Sequence, residues 1–98
     1  MQIKQQELNH KGSFFVEENG KLLAELTYAI SVPDTLIILH TEVDISLKGK
    51  NMGYQLVQQT ADYARKNNYK IVAYCTFAQS VFKKKTAEFE DVLKVNSE

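Results

Sequence analysis

Two strand-like runs joined through a glycine-containing turn and a helix restrict this chain more than any other feature. Leu36-Ile37-Ile38-Leu39-His40-Thr41-Glu42-Val43 opens the unit, and Lys48-Gly49-Lys50-Asn51-Met52-Gly53 follows as the turn. A helix-patterned segment then reaches Asn67, and Lys70-Ile71-Val72-Ala73-Tyr74-Cys75 is the second run. Leu56, Val57, Thr60, Ala61 and Ala64 recur at helical spacing and form a buried stripe, with Gln55, Gln58, Gln59, Asp62, Arg65 and Lys66 toward solvent. Asn67-Asn68 supplies the stop, because asparagine tolerates the left-handed backbone that ends helices. Strands joined by such a crossover lie parallel, and the connection is right-handed. The first half of Leu36 to Val43 is apolar on both faces, which predicts a central strand covered on both sides.

The preceding residues predict an antiparallel meander. Phe14-Phe15-Val16-Glu17 reads as a short strand, Glu18-Asn19-Gly20-Lys21 as a hairpin turn, and Leu22 to Ile30 as a second strand with apolar residues at period two. Pro33-Asp34 marks the next turn. Gln79 to Lys85 predicts a short second helix, and Thr86 to Glu98 a polar tail from which Phe89, Val92 and Leu93 can dock on the core. The order β-β-β-α-β-α implies an α+β fold: a mixed sheet, with an antiparallel meander followed by a parallel β-α-β crossover and a short helix. The 98 residues suffice for one domain, 1–98, and not for two.

A glycine turn between a strand and a helix leaves backbone N–H groups unpaired and pointing one way, and the helix dipole adds positive potential there. Lys48 and Lys50 reinforce that field, so the turn is a site for a phosphate or pyrophosphate. Formal net charge is zero, so any basic site is local, and neither nucleic acid nor an anionic membrane is an expected partner. The spacing Gly49-Lys50-Asn51-Met52-Gly53 differs from the Gly-x-x-Gly loop of RNA-binding KH domains, and no Gly-x-x-x-x-Gly-Lys-Ser/Thr run exists. No apolar run approaches the roughly 20 residues of a membrane span, and Met1-Gln2-Ile3-Lys4-Gln5 lacks a signal-peptide core. The lone Cys75 forms no internal disulfide, in keeping with a cytoplasmic protein. No metal site is expected.

His40-Thr41-Glu42-Val43, Leu47-Lys48-Gly49-Lys50, Asp62-Tyr63-Ala64-Arg65 and Cys75-Thr76-Phe77-Ala78 agree in order and spacing with one family. From roughly Phe14 to Lys85 the chain resembles the GNAT N-acetyltransferase superfamily, and within it the small GNAT-like proteins of about one hundred residues. The resemblance implies acetyl-CoA as cofactor and an amine as acceptor, which can be a protein. It implies that backbone N–H groups from Gly49 through Tyr54 hold the pyrophosphate, so Lys48, Gly49, Lys50, Asn51, Met52, Gly53 and Tyr54 are cofactor-binding candidates. Asn51 stands where the family has the first glycine of Gly-x-Gly, and asparagine visits positive φ more readily than most residues.

The resemblance also implies that the central strand splays from its neighbour near Glu42 and Val43, with the pantetheine arm in the gap beside Thr41 and Val43. A strand N–H near Val43 would polarise the thioester carbonyl. Phe77, Ser80 and Phe82 flank the pantetheine or the adenine in this reading, and the run Lys83-Lys84-Lys85, with Lys83 as its binding candidate, neutralises the 3′-phosphate. The bland alternatives are core aromatic residues and a solvated helix end.

Three catalytic candidates follow. Cys75 suits a nucleophile, a general acid for the departing thiolate, or packing alone. His40 first, and Glu42 beside it on the same strand face, suit the base that deprotonates the amine; a core histidine and a solvated carboxylate are the ordinary alternatives. The short chain, with little before its first strands, implies that the helices roofing the acceptor site in larger relatives are missing, leaving an open site suited to a macromolecular acceptor. A non-catalytic acyl-CoA sensing module is the alternative function. The oligomeric state is not legible.

Overall fold

The computed structural model describes residues 2–94. Its elements are strands β1 (Lys4–Leu8), β2 (Lys11–Glu18), β3 (Lys21–Ser31) and β4 (Thr35–Val43), then helix α1 (Met52–Asn67), strand β5 (Lys70–Ala73), and helices α2 (Thr76–Lys84) and α3 (Thr86–Phe89). A 3-10 turn at Ile45–Leu47 precedes α1. The five strands form one sheet in sequence order, β1 to β4 antiparallel and β5 parallel to β4. This is the mixed sheet read from the sequence.

Alternation sets which face is covered. Phe14, Val16, Ala24, Leu26, Tyr28, Ile30, Leu36, Ile38 and Ile71 are buried, all on the face that receives α1. From the helix, Met52, Leu56, Val57, Ala61 and Ala64 meet them; burying each Leu or Val contributes roughly 1.5–3 kcal/mol. α1 ends as predicted: Asn68 is left-handed, and its N–H reaches back to the Ala64 and Arg65 carbonyls. The hairpin turn likewise has positive φ at both Asn19 and Gly20.

The opposite face is different. Phe15, Thr27, Ala29, Ile37 and Val72 are only half-buried there, and Leu39 is exposed. The expectation that the central strand is covered on both sides is therefore corrected. Leu36 and Ile38 enter the core, while Ile37 and Leu39 face outward.

Three further boundaries differ from the sequence reading. β1 precedes the first predicted strand; all five of its side chains are exposed, so no alternation betrays it. It turns into β2 through Asn9 and His10, both at positive φ. The strand expected to reach Cys75 stops at Ala73, although Tyr74 N–H still donates to the Ile38 carbonyl at 2.9 Å. The helix expected from Gln79 starts at Thr76, because its apolar stripe begins with Ala78 and continues through Val81 and Phe82. The order is therefore β-β-β-β-α-β-α-α.

Polar staples fasten both ends of the sheet. Tyr28 and Tyr63 each donate to the Glu7 carboxylate at 2.7 Å, and Gln5 donates to the Tyr28 hydroxyl at 2.8 Å. Gly12 permits this: a Cβ there would stand 2.6 Å from the Tyr28 hydroxyl oxygen and 2.4 Å from the Gln6 carbonyl oxygen. At the other end Arg65 donates to Asp91 and to the Glu88 carbonyl, and Leu93 bridges Ile71 in parallel register. Phe89 and Val92 are buried and Leu93 half-buried, as the tail reading anticipated; its last residues, 95–98, lie outside the described residues.

Candidate active site

The site begins with a bulge. Tyr28 pairs with Ile38 but Thr27 pairs with His40, so Leu39 is an extra residue in β4. The insertion exchanges the faces. Before it, Leu36 and Ile38 point to α1; after it, Thr41 and Val43 do, while His40 and Glu42 are exposed on the opposite face. β5 pairs with β4 only from Thr35 to Ile38, so beyond Ile38 the β4 edge has no strand partner among the described residues. Asp44 N–H donates to the Leu23 carbonyl at 2.7 Å, so strand alternation turns the Thr41 and Val43 N–H groups toward that free edge.

Cys75 sits beside this edge. It is the N-cap of α2 rather than the end of a strand, and it is 8% exposed. Its Sγ lies 3.5 Å from Thr41 Oγ1. Burial by itself pushes the thiol up, but the Thr41 hydroxyl and the N–H groups of Ala78, Phe77 and Thr41 outweigh it, and the thiol is held below its ordinary value.

The glycine turn is built as its chemistry demands. Gly49 and Asn51 are both left-handed, at φ 83° and 61°, so asparagine adopts the conformation that glycine would otherwise supply. Asn51 caps α1 without a side-chain hydrogen bond, and no acidic residue occupies the first turn. Gln55 N–H takes the Asn51 carbonyl, and the N–H groups of Met52, Gly53 and Tyr54 have no backbone partner among the described residues. A Cβ on Gly53 would stand 2.6 Å from Phe77 Cζ, so glycine lets the Phe77 ring of α2 rest against the first turn of α1, and a side chain there would displace that ring.

A groove of about 530 Å³ runs along the turn. Of the predicted cofactor residues it is lined by Val43, Lys48, Gly49, Asn51, Met52, Gly53, Tyr54 and Phe77. Thr41, Lys50, Ser80 and Lys83 are outside the lining. Leu47, Val81, Lys84 and Lys85 join it instead, so the triple-lysine run contributes its last two members rather than Lys83. Lys85 Nζ rests 5.4 Å above the Tyr54 ring, and the Tyr54 hydroxyl donates to Glu88, which also accepts from Gln58 at 3.0 Å. Sequence reading missed these last contacts because they join residues 30 to 34 positions apart in the chain; only the lysine run hinted at them.

A second groove, of about 400 Å³, lies at the ends of β3 and β4. Glu42 lines it and faces Glu25 directly across the strand pair. Glu25 was not legible as a site residue, because its position depends on the β3–β4 register. His40 lines neither groove; it is an exposed strand residue opposite Thr27, not a core histidine. Val43 is common to both grooves.

Comparison with known proteins decides the family. The family profile described as GCN5-related N-acetyl-transferase matches residues 13–92. The chain belongs to that family. A GCN5-like protein from Staphylococcus aureus, whose solution structure is known, is 34% identical, with 98% of this chain and 90% of that one covered and a TM-score of 0.72. Ribosomal-protein-alanine N-acetyltransferase from Brucella melitensis biovar Abortus 2308 shares the fold at 14% identity, with 92% of this chain and 66% of that one covered and a TM-score of 0.64. Tetrahymena GCN5 shares it at 16% identity, with 92% and 64% covered and a TM-score of 0.63. The chain thus spans just under two thirds of those two longer relatives. No curated protein matches. This GNAT chain is an N-acetyltransferase by family, and the family generally uses acetyl-CoA as co-substrate. No helix among the described residues is long and apolar enough to cross a membrane.

Proposed function

We propose that this acetyltransferase holds acetyl-CoA along the glycine-turn groove and acetylates an amine delivered to the opposite face of β4. One observation carries the reading: the N–H groups of Met52, Gly53 and Tyr54, without a backbone partner among the described residues, meet Lys48, Lys84 and Lys85 around one groove that has no carboxylate in its lining. Such an arrangement suits a diphosphate, with the N–H groups as donors and the lysines as local countercharge. When bound, the cofactor supplies an acetyl thioester whose C–S bond breaks as the C–N bond forms, the amine losing a proton and the sulfur gaining one.

The free edge of β4 divides the work between its two faces. The Val43 N–H is aimed along that edge and suits polarisation of a carbonyl oxygen. Glu42, in the second groove, is the base that takes the amine proton; His40, outside both grooves, is a secondary candidate. Cys75, beside Thr41 on the other face, is the acid that returns a proton to the leaving sulfur. Its bonds to Thr41 and the α2 amides favour this role over simple packing.

Hydrogen exchange tests the cofactor site. Saturating acetyl-CoA should slow exchange at the Met52, Gly53 and Tyr54 amides and raise the melting temperature; unchanged exchange and melting would remove the reading. Thiol release in the presence of amines then tests transfer, and binding without release would point to a sensing module.

A further inference from the structure

We infer that the groove at the ends of β3 and β4 docks the acceptor, and that the acceptor is a lysine side chain presented by a protein segment. The inference rests on the acetyl-transfer reading above. Glu25 and Glu42 stand directly opposite one another, and neither has a hydrogen-bond or ion-pair partner among the described residues. Like charges in direct opposition destabilise a strand pair, and a cation between them relieves that repulsion. Asp44, also in the lining, is already engaged by the Ser46 N–H and hydroxyl, which leaves the two glutamates as the free anionic pair. No lysine or arginine lines the groove.

The remaining walls are aliphatic. Leu22 is 47% and Ile45 79% exposed, with Leu23 and Val43 deeper. Carboxylates at one place and aliphatic walls around them fit an ammonium carried on a hydrocarbon stem, which buries the stem and pairs the head. Val43 lines both grooves, so an amine seated between the glutamates meets the acetyl-donor groove at one residue. Glu25 and Glu42 both stand on the sheet face away from α1, so the groove opens on that side. A free diamine would leave the exposed Leu22 and Ile45 bare, whereas polypeptide flanking the lysine covers them, and this favours the protein-borne amine.

The experiment uses the full chain, a lysine-containing peptide, the same peptide with norleucine in place of lysine, and spermidine. The lysine peptide should shift the Leu22, Glu25, Glu42 and Ile45 amide resonances, and norleucine, which keeps the stem but loses the charge, should not. With acetyl-CoA, Glu25→Gln should raise KM for the peptide roughly tenfold with kcat within about twofold, as expected for loss of one charge-assisted contact. It should also raise the melting temperature slightly, which a residue kept for stability would not do. Glu25→Lys should abolish peptide binding while acetyl-CoA still protects the Gly53 amide. Equal binding of the norleucine peptide, turnover of spermidine but not of the peptide, or an unchanged KM in Glu25→Lys would each overturn the inference. Loss of the donor reading would look different: the peptide would bind, but acetyl-CoA would leave Gly53 unprotected.

Discussion

The two halves of β4 are built from one continuous strand and behave as different materials. From Thr35 to Ile38 it is hydrogen-bonded on both edges, and Leu36 and Ile38 are fully buried. From Leu39 to Val43 it is bonded only to β3, and its side chains alternate between Thr41, which meets the Cys75 thiol, on one side and His40 and Glu42 on the other. A single inserted residue, Leu39, separates the halves. The difference shows how a sheet delivers chemistry without sacrificing its core: the parallel partner stops early, and the bulge turns polar side chains outward just where backbone donors become free.

The strongest way to break this comparison is through stability. Ile38→Ala should lose about 3 kcal/mol, because it opens a cavity against α1, whereas Leu39→Ala, one position away and exposed, should change stability by less than about 0.5 kcal/mol. Urea denaturation of both variants measures the contrast, and equal losses would mean that the bulge is misplaced.

Activity should give the reverse ranking. Glu42→Gln should lower kcat about a hundredfold, the usual scale for a general base, with the urea midpoint nearly unchanged. Ile38→Ala, assayed well below its melting temperature, should retain most of its turnover. Steady-state kinetics with one amine separates the two.

A smaller effect is expected at the edge itself. Thr41→Val removes the hydroxyl bond that helps hold the Cys75 thiol down, so the thiol should titrate at higher pH than in the wild type. Thiolate ultraviolet absorbance follows this directly. If Cys75 is the acid, turnover falls as pH rises through the thiol's titration, and that fall should move upward in Thr41→Val. Cys75→Ala with normal turnover would leave the thiol a packing role only.

The smallest effect lies far from β4. Burial first, then the bond to Glu7, raises Tyr63 to about 12. A phenol raised above its unfolded value of roughly 10 contributes stability that is complete below that pH and is lost as pH climbs toward the folded value. Melting temperature should therefore fall between about pH 10 and 12, and the fall over that window should be shallower in Tyr63→Phe.

How much of this was legible in the sequence follows the range of each interaction. The α1 stripe, its Asn68 stop and the Asn19-Gly20 hairpin were readable because periodicity and turn chemistry are local. β1 was not, since an all-exposed strand carries no alternation and is held by Glu7 reaching two tyrosines far along the chain. The glycine turn and the pair His40 and Glu42 were visible as motifs. Glu25 was invisible because cross-strand register decides its position, and the choice of Lys84 and Lys85 over Lys83 was invisible because it depends on how α2 packs against the first turn of α1.

The bridge from Leu93 to Ile71 has a practical side. It acts as a splint along the outer margin of β5, where unsatisfied main-chain groups would otherwise invite another molecule to add a strand. Cutting the chain after Phe89 would strip that splint away together with the Asp91 clasp, so such a fragment should self-associate at concentrations where the whole chain does not. Tags for purification or labelling therefore belong at the beginning of the chain.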